Sequence, residues 1–239
     1  MERYPHSHEL DLLKKHFPTP HDIEDALEEV RFLMEKNYPR KYAVRCVGDH
    51  HRLEQMKRYM LGRIAYPSQV VSCRAPKRVG CNHIIEDVIW IDGYNVLITL
   101  ETMLDGKPLF LCDDYFLRDI RGVFRGFKIG SKTKHALELM VSYLGRYPPS
   151  EIHILLDSRI SKSGELAGNL RTLLKREGLP TDVILSTCVD FELKKKNEGI
   201  VATADGAIID CVKRVIDLPA CIWLENYRMN IQPERIKGR

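Results

Sequence analysis

Four aspartates close short apolar runs in this chain, and together they could build an oxygen-rich site. The first run, Val88-Ile89-Trp90-Ile91, is rich in β-branched and aromatic residues and ends in Asp92-Gly93-Tyr94-Asn95. Such a run reads as a buried strand. Open α/β sheets bind ligands beyond the carboxyl ends of their strands, so Asp92 is delivered to the edge where a site forms. Later strand-like runs end in the same way, at Asp157, Asp190 and Asp205. Gathered carboxylates are hard ligands suited to Mg²⁺ or Mn²⁺. A metal so held activates water and stabilises the attacking and leaving oxygens of a phosphodiester. Taken singly, each aspartate reads equally well as a cap or turn residue. Four on one edge would repel one another without a cation, so convergence separates the two readings.

Other constellations are weaker. Cys73, Cys81 and His83, with Cys46 or His50 upstream, are candidate zinc ligands, but their spacing matches no strong zinc pattern. Buried or incidental cysteines are the competing reading. Asp49-His50-His51 suits a phosphate contact or a base, or simply the polar start of a helix. Cys188, Cys211 and Cys221 lie in apolar settings and read as core. The polar loop Ser158-Arg159-Ile160-Ser161-Lys162, leading into a helix, is a candidate phosphate cradle. Asn95 is placed to orient Asp92 or to touch substrate. Phosphate-loop and dinucleotide glycine fingerprints are both absent, against nucleotide hydrolases and nicotinamide enzymes. Asp92-Gly93-Tyr94 also lacks the second aspartate of a haloacid-dehalogenase-type phosphatase.

The elements that must position these groups fall into two blocks, residues 1–82 and 83–239. In the first, Pro18-Thr19-Pro20-His21-Asp22 opens a helix whose apolar positions are Ile23, Ala26, Leu27, Val30, Leu33 and Met34. Asn37-Tyr38-Pro39 ends it. Further helices are expected over about 41–47 and 51–61, then a loop from Tyr66 to Gly80. The second block alternates strand and helix. Strands are expected at 87–91, 152–156, 183–186, 200–204 and 220–223, with a weaker one at 109–112. Helices are expected at 133–144, 164–177, 191–196 and 207–214. Helical crossovers between strands imply a parallel sheet and a three-layer α/β domain.

Charge divides the chain in a similar way. Residues 36–80 hold eleven Lys/Arg against Asp49 and Glu54, a local net charge of +9 in a chain whose total is +4, so the remainder is −5. A basic helical block beside an acidic one suggests polyanion binding next to a carboxylate site, with Arg58 and Arg63 as candidate contacts. A solvated basic surface is the plainer alternative. No apolar run approaches the ~18 residues of a membrane span. The N-terminus lacks the apolar core of a signal peptide. Seven scattered cysteines make a complete disulfide framework unexpected, so a reduced cytoplasmic protein is the expectation.

The second block resembles a PIN-like nuclease domain, above all the NYN type, over roughly residues 86–225. The resemblance rests on Asp92-Gly93-Tyr94-Asn95, on Ile154-Leu155-Leu156-Asp157, and on Asp190 preceding Ile200-Val201-Ala202-Thr203-Ala204-Asp205. It implies a metal-dependent ribonuclease using Mg²⁺ or Mn²⁺, with Asp92, Asp157, Asp190 and Asp205 as catalytic metal ligands. Asn95, Ser158, Arg159, Ser161 and Lys162 would contact RNA. The segment 109–119 departs from that pattern, and its acids Asp113, Asp114 and Asp119 are either catalytic or decorate an insertion. The helical block resembles a small module fused to such domains in uncharacterised archaeal proteins. A nucleic-acid-binding protein without catalysis, or a DNA-directed nuclease of flap or Toprim type, are the alternatives.

Overall fold

Alternating strand and helix from Val88 onward produces a five-stranded parallel sheet, and the helices before it form a unit of their own. The computed structural model describes residues 7–120 and 129–231. In chain order the helices are α1 (Ser7–His16), α2 (Glu24–Glu35), α3 (Arg40–His50), α4 (Gln55–Ile64), α5 (Ser68–Arg74), α6 (Gly93–Leu104), α7 (Ser131–Arg146), α8 (Ser163–Arg176), α9 (Val189–Lys194), α10 (Gly206–Ile209) and α11 (Leu218–Ile231). The strands are β1 (Val88–Asp92), β2 (Leu109–Leu111), β3 (Leu117–Asp119), β4 (Glu151–Asp157), β5 (Thr181–Ser186), β6 (Ile200–Ala202) and β7 (Val215–Ile216).

The helical unit holds the described residues up to 76 together with 108–120. Its core is the apolar stripe of α2, Ala26, Leu27, Val30 and Met34, closed by Ala43, Val47, Leu61 and Ile64. The β2–β3 hairpin belongs here: Phe110 and Cys112 join this core. The division therefore differs from the expected break at 82/83. The chain leaves the sheet unit after Lys107 because the apolar side chains of the hairpin are buried among the helices.

The acids of that hairpin explain its departure. Asp113 accepts two hydrogen bonds from Arg31, at 2.8 and 2.7 Å, and one from the Tyr66 backbone N–H at 3.0 Å. Asp114 is fully buried between Arg74 and Arg118. Burial alone would raise its pKa, but the charge and hydrogen bonds of Arg118, with those of Arg74, hold it below the usual carboxylate range. Asp119 is buried in β3. Asp113 and Asp114 bind the helical unit together, and all three acids lie outside the sheet unit.

In the sheet unit the strand order is β5-β4-β1-β6-β7, all parallel. Ile91 stands opposite Ile154 of β4 and Ala202 of β6. The winding moves outward from β1 to β5, then restarts on the other side with β6. That reversal beside β1 opens a crevice at the carboxyl edge of the sheet. Helices flank the sheet. α6, buried almost throughout its length, follows Asp92 directly. Gly93 permits this, because a Cβ there would meet Leu156 Cδ2 at 2.6 Å and the Leu155 carbonyl at 2.9 Å. Gly199, at φ +77°, brings β6 in beside β1, where a Cβ would lie 2.6 Å from the Val88 carbonyl oxygen.

Other expectations are corrected. Residues 220–223, expected as a strand, lie inside α11, and the last strand is Val215–Ile216. The stretch from Tyr66 to Gly80, expected as a loop, contains α5. Asp49-His50-His51 ends α3 instead of starting a helix. Cys81 forms a disulfide with Cys221, their Cα atoms 5.3 Å apart. Its thiol is therefore consumed, and the proposed Cys73/Cys81/His83 zinc set does not exist. Cys188 and Cys211, expected in the core, are exposed. No described helix is long and apolar enough to cross a membrane.

Candidate active site

Each of the four aspartates leaves a different part of the sheet edge. Asp92 is the last residue of β1 and Asp157 the last of β4. Asp190 lies in the first turn of α9, just beyond β5, and Asp205 caps α10 just beyond β6. All four line one cavity of about 340 Å³, with Tyr94 and Arg159. All four carboxylates thus border one cavity, although no three of them bring ligand oxygens within 4.8 Å of one another.

Their environments differ. Asp92 is 7 % exposed. Burial above all, with the charges of Asp190 and Asp205 adding to it and the Thr203 hydroxyl opposing it, pushes its carboxyl up to about 7. Thr203 Oγ1 donates to Asp92 Oδ2 at 2.9 Å and accepts from the Asp205 N–H at 3.1 Å. One hydroxyl therefore sets the spacing between two of the aspartates. Asp205 Oδ1 accepts from the Ala207 N–H at 2.7 Å, the N-cap bond that starts α10. Asp157 is held by Arg159 through a forked pair, with Nε 2.9 Å from Oδ1 and Nη2 2.6 Å from Oδ2. Those hydrogen bonds keep its carboxyl below the ordinary range. The Tyr94 phenol is pushed up to about 12 by burial and the Asp157 charge, so it remains a proton donor at neutral pH.

The residues expected to touch substrate divide. Arg159 borders the cavity. Asn95 does not: it is buried, and its side-chain oxygen accepts from the Ala204 N–H at 2.9 Å. It positions the segment carrying Thr203 and Asp205. Ser158, Ser161 and Lys162 are exposed. The loop's backbone offers little to an anion, because the N–H groups of Ser158, Arg159, Ile160 and Ser163 are spent on Ser186, Asp157, Asp157 and Ile160. Arg58 and Arg63 lie in the helical unit. Arg58 is committed to Asp49 and to the Leu53 carbonyl, and Arg63 is half-buried. Arg74 and Arg78 are buried, so the basic block is thinner at its surface than its composition suggests. Lys36, Lys41, Arg45 and Arg52 are its exposed cations.

Two further residues beside the aspartates escaped sequence reasoning. Thr203 lies inside an apolar run, where a lone threonine carries no signal. Phe191 follows Asp190 and is 58 % exposed, with Lys195 Nζ 3.8 Å from its ring centroid. An aromatic beside three consecutive lysines was the available hint.

Residues 81–221 match the family described as Domain of unknown function (DUF5616), and residues 22–77 match the one described as Protein of unknown function (DUF434). The Uncharacterized protein MJ0935 of Methanocaldococcus jannaschii is 33% identical over 200 residues, covering 83% of this chain and 95% of that protein. No solved structure gives a significant match. The first match takes in every aspartate of the cavity and more than half of the chain, and on that ground the chain belongs to the DUF5616 family.

Proposed function

We propose that the sheet unit is a metal-dependent ribonuclease. One observation carries the reading: carboxylates from four separate segments border a single cavity, and one of them is buried beside two others. Such an arrangement is costly unless a cation balances it. The donors are all oxygens, which fits Mg²⁺ or Mn²⁺ better than a softer metal. Asp92 and Asp205 are the ligands, joined by Asp190 and, where Arg159 releases it, by Asp157. Bound there, a divalent cation would activate water and neutralise charge on the phosphoryl oxygens.

The chain's own groups have definable parts in this. Thr203 holds Asp92 and Asp205 at a fixed spacing, which preorganises the ligand set. Arg159 stands at the cavity with its guanidinium largely exposed, and is the group to meet a phosphate. Tyr94 borders the cavity and keeps its proton at neutral pH. Phe191, with Lys195 beside its ring, offers an aromatic surface and positive charge suited to a single strand. RNA as substrate follows the NYN-type resemblance.

The test is cleavage of fluorescent single-stranded RNA and DNA in Mn²⁺ or Mg²⁺ by the full chain and by Asp92→Asn and Asp205→Asn. The expected result is metal-dependent RNA cleavage, lost by about a hundredfold or more in both variants, with unchanged circular dichroism and RNA affinity. RNA binding without cleavage in the wild type would replace the enzyme by a binding protein. Preferential DNA cleavage would make it a DNA-directed nuclease. Undiminished cleavage by the variants would assign the activity elsewhere.

A further inference from the structure

Away from the carboxylate cavity, the helical unit brings together a second set of metal-ligating groups. Glu29 lies on α2, His50 is the last residue of α3, and His51 follows it. One ligand atom from each lies within 4.8 Å of the other two. His51 Nε2 is 3.0 Å from Glu29 Oε1. That nitrogen is shielded from solvent, yet the geometry gives it no hydrogen bond. It faces the Glu29 carboxylate at ion-pair distance without hydrogen-bond geometry, an arrangement that a cation between the two would satisfy.

We propose that Glu29, His50 and His51 form a zinc site that clips α2 to the end of α3. Two imidazole nitrogens and one carboxylate oxygen are a recognised Zn²⁺ donor set with three protein ligands. Ligands about 2.0–2.2 Å from a tetrahedral ion stand roughly 3.4 Å apart, so side-chain rotation alone closes this cluster on a metal. The backbones are already fixed, because Ala26, Leu27 and Val30 of α2 and Val47 of α3 are core residues. The end of α3 presents carbonyl groups carrying partial negative charge, which favours a cation there. Glu29 and His50 are exposed, so the fourth position opens to solvent and takes water. The chemistry differs from that of the oxygen-only cavity, and the site stands or falls independently of nuclease activity.

The experiment uses the full chain without an affinity tag, loaded with Zn²⁺ and dialysed, with retained metal measured by mass spectrometry. It is repeated with Co²⁺, whose visible absorption reports four-coordinate nitrogen and oxygen ligation. Beyond any zinc held by the carboxylate cavity, about one equivalent should be retained by the wild type, and Asp92→Asn, which removes a cavity ligand and spares this site, should keep that equivalent. Glu29→Gln, His50→Ala and His51→Ala should each bind at least about tenfold more weakly. Zn²⁺ should also raise the Tm of the wild type and not that of His50→Ala. No retained zinc and no cobalt spectrum in the wild type would overturn the proposal. So would wild-type affinity in the two histidine variants, whose circular dichroism controls for folding. Loss of zinc in Asp92→Asn alone would transfer the metal to the cavity and equally defeat it.

Discussion

At the residue scale, Asp92 carries the greatest electrostatic tension in the sheet unit. Its carboxyl is pushed up to about 7 from an ordinary 3.8 by burial, with Asp190 and Asp205 adding to the effect. The folded, metal-free chain therefore holds a proton on Asp92 that the unfolded chain has already lost. A raised carboxylate pKa stabilises the fold at low pH, and that contribution is lost as pH rises from about 4 to about 7. The loss is on the order of 4 kcal/mol if the whole shift is expressed. Urea unfolding in the presence of a chelator checks this. Wild-type stability should fall more steeply over that window than the stability of Asp92→Asn, and parallel curves would refute the account. Adding Mn²⁺ should restore wild-type stability at neutral pH, because a cation balances the ionised form.

At the scale of elements, the β2–β3 hairpin is the part whose role changed most. Asp113 and Asp114 resembled further members of a carboxylate site, but the hairpin carries them into the helical unit, where arginines meet both. The Tyr66 ring gathers both partners of Asp114 together with Arg40, the guanidinium carbons of Arg40, Arg74 and Arg118 lying 4.2, 4.8 and 5.1 Å from its centroid. Asp114→Ala would leave Arg74 and Arg118 buried without this carboxylate, a loss of about 3–5 kcal/mol. Chemical denaturation followed by circular dichroism should show that destabilisation. A change below about 1 kcal/mol would mean that the network contributes little. Several helix positions were legible because their faces differ: the α2 stripe follows the 3.6-residue period, and its apolar residues are the ones buried. α6 was not legible, because a helix buried on nearly every side has no polar face to set a period.

At the scale of the whole chain, the Cys81–Cys221 bond joins residues 140 apart in sequence, tying the approach to β1 to α11. Closing so long a loop is worth about 4–5 kcal/mol in the chain-entropy picture, less any native strain. Thiol labelling of the unfolded chain should find five cysteines without reductant and seven with it. Reduction should lower the Tm of the wild type and leave that of a Cys81→Ser/Cys221→Ser double variant unchanged. Seven reactive thiols before reduction would show that the bond does not form in solution.

By itself the sequence determined β1, β4, β5 and β6, the parallel sheet that they form, and the four aspartates at its carboxyl edge. Short apolar runs ending in a charge carry their own signal, because local burial and the strand terminus are written in neighbouring residues. Tertiary structure decided what depends on partners distant in the chain. It selected Thr203 to join Asp92 and Asp205, turned Asn95 inward, sent Asp113 and Asp114 to the arginines of the helical unit, and paired Cys81 with Cys221. A side chain's type fixes which bonds it can make, but packing alone fixes which partner lies within 3 Å of it.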